Sequence, residues 1–363
     1  MARELKKIIS IPNHRIRGRH WEARGLEAVD EGMAVKRQKT EADLAKEYAW
    51  LQNPRMEIVV ENTRRLWTTL FLFYNGLVVS PSSNFAIGIS DLNTGEILKK
   101  LEGHTELIGC LARHGDMLAS GSDDGTVRLW DLRTGTPIKT LVGHGHFEGD
   151  PKACDHRIDA VALNDRFVVS SCTDDYSTRV WEISTGRCRH VFRGETSRAH
   201  GMVFRGRYVV LGHVPARLVD LETGGEIRRF EVPNHVFMRS AVFHQGNLLT
   251  GHSDGTIRVW NPDAGECLRV MEGHKQLVYC LLPYQDIVFS GSWDTSIKIW
   301  HIPTGQCLQT LGVPINATPE EWKLVSTNKG HTHHVNDLFI ENHALVSGST
   351  DLSIRRWVFG HPL

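Results

Sequence analysis

An internal repeat of about forty residues constrains this chain more than any other feature, because a fixed period of that length is typical of repeat architectures. The phrase "LASGSDDGTVRLWDLRTG" defines the repeat most clearly. Seven copies begin, in chain order, at Val78, Leu118, Val168, Val209, Leu248, Val288 and Leu345. The copies at Val78 and Val209 are weaker, because they keep the apolar alternation but lose the tryptophan.

Each copy contains short segments in which apolar and polar residues alternate, separated by turns rich in Asp-Gly or Thr-Gly. Alternation with β-branched residues predicts strands, and the turns predict tight connections between them. Four strands per copy, repeated seven times, predict an all-β fold that is a single seven-bladed β-propeller. The last copy lacks a fourth strand after Trp357, whereas residues 56–62 form a strand outside any copy. We expect this N-terminal strand to complete the seventh blade and close the ring.

Gly-His pairs precede four of the copies and end at His104, His144, His274 and His331. With the Trp-Asp-like ends of the copies, these pairs make residues 56–358 resemble the WD-repeat β-propellers. The resemblance implies a buried structural network of His, Ser, Asp and Trp in a blade. The matching sets are His104, Ser120, Asp124 and Trp130; His274, Ser290, Asp294 and Trp300; and His331, Ser347, Asp351 and Trp357.

The same three residue types also build the Ser-His-Asp triad of hydrolases, which makes a hydrolase the rival interpretation. A catalytic triad occurs once per active site, whereas this set recurs from blade to blade. The sequence offers neither an oxyanion hole nor a strained nucleophile elbow. We therefore expect structural tetrads, no catalytic residue and no enzyme activity. The first and fourth copies depart from the pattern, with Ser90 and Val219 at the tryptophan position, so we expect them to lack the network.

Charge and composition divide the chain into three parts. Lys+Arg and Asp+Glu number 42 each, so the whole chain does not call for nucleic acid as a partner. Residues 1–39 hold ten basic residues against five acidic ones, which predicts a basic, weakly ordered head. Residues 40–55 predict a short N-terminal helix and linker, with Thr40 as N-cap. Residues 56–363 form the propeller.

Seven cysteines with no dense framework predict free thiols in a reducing compartment. The N-terminal apolar run is too short for a signal peptide, and no stretch approaches a membrane span. We therefore expect a cytoplasmic or nuclear protein without membrane contact.

One segment offers the chemistry of a zinc site, with His144, His146, Cys154 and His156 at short spacings. The Gly-His motif already accounts for His144, so an ordinary surface loop is the simpler interpretation. The chain contains no Walker loop, dinucleotide fingerprint or paired-carboxylate motif. We expect no metal and no cofactor.

Partner-binding residues are expected on one face of the propeller, where the loops that enter the innermost strands meet the turns between second and third strands. Aligning the copies on the tetrad serine places a set of aromatic, basic and polar residues there, a composition typical of binding hot spots. The set comprises Trp67, Arg157, Asp159, Arg198, His200, Phe237, Arg239, Tyr279, Trp293, His334 and Asn336.

The repeats look most like the propellers of F-box/WD substrate receptors of ubiquitin ligases, although residues 1–55 contain no evident F-box. That resemblance implies a scaffold or substrate-recognition module in a multiprotein complex, which binds a protein or peptide with acidic or phosphorylated residues. Arg157, Arg198 and Arg239 would pair with such groups. The alternative is an RNA- or ribonucleoprotein-associated scaffold that uses the basic head, since clustered Lys and Arg neutralise phosphates.

Overall fold

A computed structural model describes most of the chain from residue 40 onward. The described residues are 40–51, 54–60, 72–91, 96–144, 157–172, 174–193, 201–212, 215–233, 235–312, 330–341, 344–351 and 353–360. Within them, 28 strands form seven antiparallel sheets of four strands each. The predicted all-β, seven-bladed propeller is confirmed.

Each sheet is one blade, numbered in chain order. Blade 1 consists of β2 (Leu72–Tyr74), β3 (Leu77–Pro81), β4 (Ile87–Asp91) and β5 (Ile97–Leu101). Blade 2 consists of β6 (Ile108–His114), β7 (Met117–Ser122), β8 (Thr126–Asp131) and β9 (Thr136–Val142). Blade 3 consists of β10 (Ile158–Leu163), β11 (Phe167–Cys172), β12 (Ser177–Glu182) and β13 (Cys188–Arg193). Blade 4 consists of β14 (Val203–Arg205), β15 (Tyr208–Leu211), β16 (Ala216–Asp220) and β17 (Glu226–Phe230).

The remaining three blades follow the same order. Blade 5 consists of β18 (Met238–His244), β19 (Asn247–His252), β20 (Ile257–Asn261) and β21 (Glu266–Met271). Blade 6 consists of β22 (Val278–Tyr284), β23 (Ile287–Ser292), β24 (Ile297–His301) and β25 (Cys307–Leu311). Blade 7 consists of β26 (Val335–Glu341), β27 (Ala344–Ser349), β28 (Ile354–Val358) and β1 (Arg55–Val60). The first strands of consecutive blades contact one another from blade 1 to blade 7, so they lie innermost.

The N-terminal strand closes the ring. β1 pairs antiparallel with β28, and Met56 lies opposite Trp357. The predicted closure is therefore confirmed, although β1 begins one residue earlier than expected and residues 61–62 lie outside the described part. Closure leaves no blade short of a strand, which removes an open edge that would invite aggregation.

A short helix, α1 (Glu41–Glu47), precedes β1, as the sequence predicts. The Thr40 hydroxyl accepts a hydrogen bond from the Asp43 amide at 3.2 Å, and the Asp43 carboxylate accepts one from the Thr40 amide at 2.9 Å. This reciprocal capping box fixes the helix start. Leu51, fully buried, anchors the following turn in the core between blades 6 and 7. No helix in the described residues has the length and apolar character needed to cross a membrane.

Glycines in the second strands let neighbouring blades approach closely around the channel. A Cβ on Gly121 would lie 2.5 Å from Ile158 Cγ2, which belongs to the first strand of the next blade. A Cβ on Gly291 would lie 2.7 Å from Val335 Cγ1 in the same way. The glycine of the repeated "SGS" phrase is therefore required by packing, because any side chain would push the blades apart.

The outer edges of five consecutive blade pairs are joined by equivalent side chains. In each pair, a side chain of the fourth strand reaches a backbone carbonyl in the turn between third and fourth strands of the next blade. The contacts are Lys99 to Arg133 at 2.6 Å, Lys139 to Ser184 at 2.7 Å, His190 to Glu222 at 3.3 Å, Arg228 to Asp263 at 2.7 Å and Arg269 to Thr304 at 3.3 Å. These bonds fix each blade relative to its neighbour.

Candidate partner-binding face

One face of the propeller, called the loop face here, is defined by a backbone hydrogen bond that recurs in four blades. In each of these blades, the residue just before the position of the tetrad aspartate donates its backbone N–H. The acceptor is the backbone carbonyl of the residue just before the first strand. The pairs are Asp123 to Leu107 at 2.8 Å, Ser253 to Phe237 at 3.0 Å, Trp293 to Leu277 at 3.0 Å and Thr350 to His334 at 3.1 Å. The bond holds the turn between second and third strands against the loop that enters the blade.

A β-bulge follows directly, at the same position of five first strands. The bulged residues, which the ladder register skips, are Gly109, Asp159, Arg239, Tyr279 and Asn336. A bulge leaves one residue out of the hydrogen-bond ladder and redirects its side chain. Four of these five residues belong to the predicted partner-binding set, so the predicted positions coincide with a repeated structural device.

Four of the predicted residues stack on one another across three blades. The Arg239 guanidinium lies 4.0 Å from the centre of the Tyr279 ring. Tyr279 stacks on Trp293 with centroids 6.4 Å apart, and Trp293 stacks on His334 at 4.6 Å with an interplanar angle of 12°. We call Arg239, Tyr279, Trp293 and His334 the four-residue stack. It connects blades 5, 6 and 7 on the loop face.

The four-residue stack keeps two hydrogen-bond donors unused among the described residues. Trp293 is 37% exposed, and its indole N–H has no acceptor there. Arg239 makes no ion pair with any described residue and rests only on the tyrosine ring. Burial, with help from His333, lowers the pKa of His334, so its imidazole is neutral at pH 7. The stack therefore offers one cation and one N–H on an aromatic support.

Arg157 has a different environment. Its guanidinium lies 3.4 Å from Asp159 and 3.7 Å from Asp123, and its amide donates to the Asp174 carboxylate at 3.3 Å. Two carboxylates therefore lie near the Arg157 guanidinium, and a third accepts from its backbone amide, on the side of the loop face formed by blades 2 and 3. In the described residues no contact joins Arg157 to Arg239, and Arg198 lies outside them. The expectation that Arg157, Arg198 and Arg239 pair with one partner therefore stays a prediction.

The remaining residues of the predicted partner-binding set make no ring contact or hydrogen bond with the four-residue stack in the described part of the molecule, or lie outside that part. Phe237 is partly buried where the chain enters blade 5, and its amide donates to the Ser253 hydroxyl at 3.1 Å. The Asn336 side-chain oxygen is buried without a hydrogen-bond partner in the described part of the molecule. Trp67, Arg198 and His200 lie outside the described residues.

The structure arranges each predicted tetrad as a continuous hydrogen-bonded chain. In blade 2, His104 Nδ1 lies 2.7 Å from Asp124, His104 Nε2 lies 2.8 Å from the Ser120 hydroxyl, and Trp130 donates to that hydroxyl at 2.8 Å. Blades 6 and 7 repeat the arrangement through His274, Ser290, Asp294 and Trp300, and through His331, Ser347, Asp351 and Trp357. Each chain ties a loop to its blade.

The protonation states follow from burial and hydrogen bonding. Burial lowers the pKa of His274, so its imidazole is neutral and donates from Nδ1 to Asp294. Burial alone would raise the pKa of Asp294. Hydrogen bonds from His274 and Ser296 outweigh burial and hold this pKa well below its usual range. Ser290 then donates to Nε2 and accepts from Trp300. Ser290 is fully buried, so its hydroxyl is not exposed on the surface of the propeller.

Two networks were missed from the sequence. In blade 3, His144 bonds to Asp175 at 2.9 Å and to Ser170 at 2.7 Å, and Trp181 donates to Ser170 at 2.8 Å. One extra residue in the turn separates Ser170 from Asp175, which disguises the spacing. Allowing that insertion would have found this tetrad.

In blade 5, Thr250 takes the place of the tetrad serine, and His252, which comes from a different position in the blade, takes the place of the tetrad histidine. Thr250 lies 2.7 Å from His252 Nε2 and accepts from Trp260 at 2.7 Å. Burial lowers the pKa of His252 to about 4, so this imidazole is neutral. Among the described residues of blades 1 and 4, Ser90 and Val219 occupy the tryptophan position and are buried.

One cluster of side chains has the donor types of a metal site. His144, Cys172 and Asp175 bring their ligand atoms within 4.8 Å of one another, all buried. Both His144 ring nitrogens already bond to Asp175 and Ser170. Cys172 occupies the position that Ser122 holds in blade 2, so the cluster is a tetrad with a neighbouring thiol. His146, Cys154 and His156 lie outside the described residues.

Comparisons with known proteins agree with this architecture. The family model described as WD domain, G-beta repeat, matches residues 95–131, 231–261, 265–301 and 322–357. The chain is 25% identical over 222 residues to the WD repeat-containing protein pop2 of Schizosaccharomyces pombe, covering 59% of this chain and 28% of that protein. It is 27% identical over 235 residues to Mitochondrial division protein 1 of Aspergillus terreus, covering 58% of this chain and 34% of that protein.

The chain thus spans about a third of the length of these relatives. Among solved structures, the computationally designed Ika8 protein matches with a TM-score of 0.58 and 25% identity, covering 80% of this chain and 95% of Ika8. The chain carries WD40 repeats in these four segments, and its described residues form a closed seven-bladed β-propeller, a fold consistent with a protein-interaction scaffold.

Proposed function

We propose that the protein is a non-catalytic scaffold that binds a peptide segment of a partner protein on the loop face, at the four-residue stack. The observation that carries the proposal is the stack itself, in which Arg239 and Trp293 keep donors that no described residue uses, on a rigid aromatic support. Aromatic residues and arginine dominate binding hot spots, and ordering them before the partner arrives lowers the entropic cost of binding.

The chemistry of the stack favours an anionic group on the partner. A guanidinium and an indole N–H both donate hydrogen bonds, so a carboxylate or phosphate satisfies both at once. The apolar ring edges of Tyr279 and Trp293 would contact an apolar side chain beside that group. An acidic or phosphorylated peptide is therefore the partner class that the site supports best.

The tetrads support the absence of catalysis. The serine oxygens of the four networks are buried and engaged in two hydrogen bonds each, which leaves no accessible nucleophile there. Their recurrence in blades 2, 3, 6 and 7 is the pattern of a stabilising device. We therefore propose no hydrolase activity for these residues.

Affinity capture from cell extract, with mass spectrometry, tests the proposal. The double variant Arg239→Ala and Trp293→Ala should lower partner capture at least about 30-fold, since truncation of one hot-spot residue costs about 2 kcal/mol or more. The matched control is Leu98→Ala with Leu268→Ala, two exposed side chains on outer strands away from the loop face. This control should capture the same proteins as the unmodified chain.

Removal of residues 1–39 separates this proposal from the alternative of RNA binding by the basic head. The truncated chain should retain its partners. Loss of all partners on truncation, with normal capture by the Arg239 and Trp293 variant, would move the binding function to the head and contradict the proposal. Recovery of RNA instead of protein in that case would identify the alternative.

We further propose a role within a multiprotein complex in the cytoplasm or nucleus. The F-box/WD resemblance makes a ubiquitin ligase the first complex to test, by looking for ligase subunits among the captured proteins. Imaging of a tagged chain tests the compartment. A mitochondrial signal would contradict that part of the proposal, and a relative named for mitochondrial division makes this outcome worth examining.

A further inference from the structure

Three further exposed apolar side chains lie on the loop face, on blades 1 to 3 and away from the four-residue stack. They are Phe85 between β3 and β4, Leu107 just before β6, and Tyr176 between β11 and β12. Resting on the proposed function, we infer that these side chains hold apolar residues of the same partner segment whose anionic group binds the stack. The partner segment therefore combines an acidic or phosphorylated residue with bulky apolar residues at a distance from it.

Exposed apolar residues are unevenly distributed over the described part of the chain. Twelve large apolar residues are exposed there, and eight of them lie on the fourth strands of blades 1 to 5. The other four are Phe85, Leu107, Tyr176 and Trp293, all on the loop face. None of the twelve lies in a turn between first and second strands, on the opposite face. Apart from the outer strands, the exposed large apolar residues of the described chain are therefore confined to the face that carries the stack.

Backbone conformation distinguishes Phe85 and Tyr176 from ordinary exposed side chains. Strand pairing places both at the turn position where blades 2 and 5 have glycine, Gly125 and Gly255. The φ angles at this position are 75° and 82° for the two glycines, 58° for Phe85 and 51° for Tyr176. A positive φ is unfavourable for a bulky side chain, whereas glycine adopts it readily. Glycine is therefore the residue that this turn favours, and two blades have an aromatic residue instead.

Neither aromatic ring gains a compensating contact within the described chain. Phe85 and Tyr176 are 38% and 55% exposed, and neither belongs to a hydrophobic core cluster. No described ring or cation stacks on either of them, and no described residue hydrogen-bonds to the Tyr176 hydroxyl. Residues held in an unfavourable backbone conformation cluster at binding sites, where the strain serves the function. An apolar side chain of a partner would supply the missing contact.

One segment can contact both parts of the loop face. Phe85 and Tyr176 lie in the same turn of their blades as Trp293 does in blade 6, and Leu107 enters blade 2 between them. Neighbouring strands lie about 4.8 Å apart, so a blade of four strands is about 14 Å wide and two facing blades span about 30 Å without the channel. An extended segment of about sixteen residues reaches about 53 Å, which is enough to cross the ring.

A displayed library of random peptides, each about sixteen residues long and selected on the full chain, tests the inference. Selected peptides should carry an Asp or Glu and, separated from it, at least one large apolar residue. The double variant Phe85→Gly with Tyr176→Gly introduces the residue that the turn favours, so it should keep its melting temperature. It should nevertheless bind the selected peptides at least about ten-fold more weakly, because two apolar anchors are lost.

Two further variants control for the backbone change. Asn75→Gly makes a similar change at a φ of 49° on the opposite face, and it should leave peptide binding unchanged. Phe85→Asn with Tyr176→Asn removes the same two rings, and asparagine also tolerates this backbone conformation. This second pair should weaken binding as much as the glycine pair does. Normal binding by both pairs contradicts the inference.

Salt separates apolar contacts from charged ones. Raising the salt concentration from 0.1 M to 1 M shortens the Debye length from about 10 Å to about 3 Å, so the loss of affinity caused by Arg239→Ala should shrink. The loss caused by the glycine pair should be the same at both concentrations, because burial of apolar surface does not depend on charge. A loss at Phe85 and Tyr176 that disappears at 1 M salt contradicts the inference.

The outcomes separate this inference from the function on which it rests. Peptides that bind the Arg239→Ala and Trp293→Ala variant weakly, yet bind the glycine pair normally, overturn the inference alone. Peptides that do not respond to the stack variant overturn the proposed function. A library without any binder counts against both.

Discussion

The hydroxyl of Ser120 serves two partners at once, the His104 imidazole and the Trp130 indole. Removing it leaves a buried indole N–H and a buried ring nitrogen without a partner. Ser120→Ala should therefore lower the free energy of unfolding by about 1–3 kcal/mol, measured by urea denaturation. A stable Ser120→Ala variant that loses some enzymatic turnover would instead favour the hydrolase interpretation.

Blade 1 supplies the matched control for that substitution. Ser80 occupies the equivalent strand position and is equally buried, but its hydroxyl has no hydrogen-bond partner in the described residues. Ser80→Ala removes a hydroxyl without orphaning a partner, so it should leave stability unchanged or slightly higher. Equal destabilisation by the two substitutions would mean that the tetrad adds nothing beyond packing.

A buried carboxyl in β26 makes stability depend on pH. Asp337 follows the bulge, the position from which Cys110 and Ser240 donate to a carbonyl of the next blade at 3.3 Å each. Burial raises the pKa of Asp337 to about 7, and in the described residues its carboxylate accepts from the Leu338 amide at 2.9 Å. The folded chain therefore holds a proton that the unfolded chain releases near pH 4.

The sign of the effect follows from that difference. Because the folded-state pKa is the higher one, stability is full below about pH 4 and falls as pH rises to about 7. Asp337→Asn cannot ionise, so its stability relative to the unmodified chain should rise by about 2–3 kcal/mol between pH 5 and pH 8. Denaturant titrations of both chains at pH 5, 6, 7 and 8 measure this. A constant difference across these values would show that Asp337 does not titrate there.

At the scale of elements, β1 determines whether blade 7 is complete. It contributes the fourth strand, and without it the backbone edge of β28 is exposed. A chain that lacks residues 1–62 should fail to fold or should aggregate, because exposed strand edges pair between molecules. A chain that lacks residues 1–39 should keep its melting temperature within a few degrees. Circular dichroism and size-exclusion chromatography of both chains decide this, and equal folding of the two would disprove closure by β1.

Elements were predictable from the sequence where one local pattern determines them. The alternation of apolar residues and the Gly-containing turns predict the blades, and the missing strand after Trp357 predicts closure. The blade 3 tetrad escaped because one inserted residue changed the spacing between Ser170 and Asp175. The network of Thr250 and His252 was not predicted from the sequence, because its imidazole comes from a different strand position.

The candidate face was predictable in position but not in its contacts. Alignment of the repeats places Tyr279 and Trp293 on the loop face, because equivalent residues of each blade share a place. The alignment gives no distances between blades. It therefore predicts neither the four-residue stack nor the ion pairs of Arg157 with Asp123 and Asp159. Contacts between blades depend on the packing of the whole ring.

At the scale of the whole molecule, the propeller presents several surfaces of comparable exposure. Leu107 on the loop face is 63% exposed, whereas Leu98 and Leu268 on outer strands are 52% and 51% exposed. Exposure alone does not distinguish them as partner sites, since single exposed apolar residues are normal. The loop face differs from the outer strands in carrying the four-residue stack.

Site-specific photo-crosslinking measures directly which surface meets the partner. A photoreactive phenylalanine analogue would replace Leu107 or Thr350 on the loop face, and Leu98 or Leu268 on the outer strands as controls. We expect crosslinks to a partner from the loop-face positions and only background from the outer-strand positions. Crosslinks from the outer strands, with none from Leu107 or Thr350, would contradict the central claim that the loop face is the binding surface.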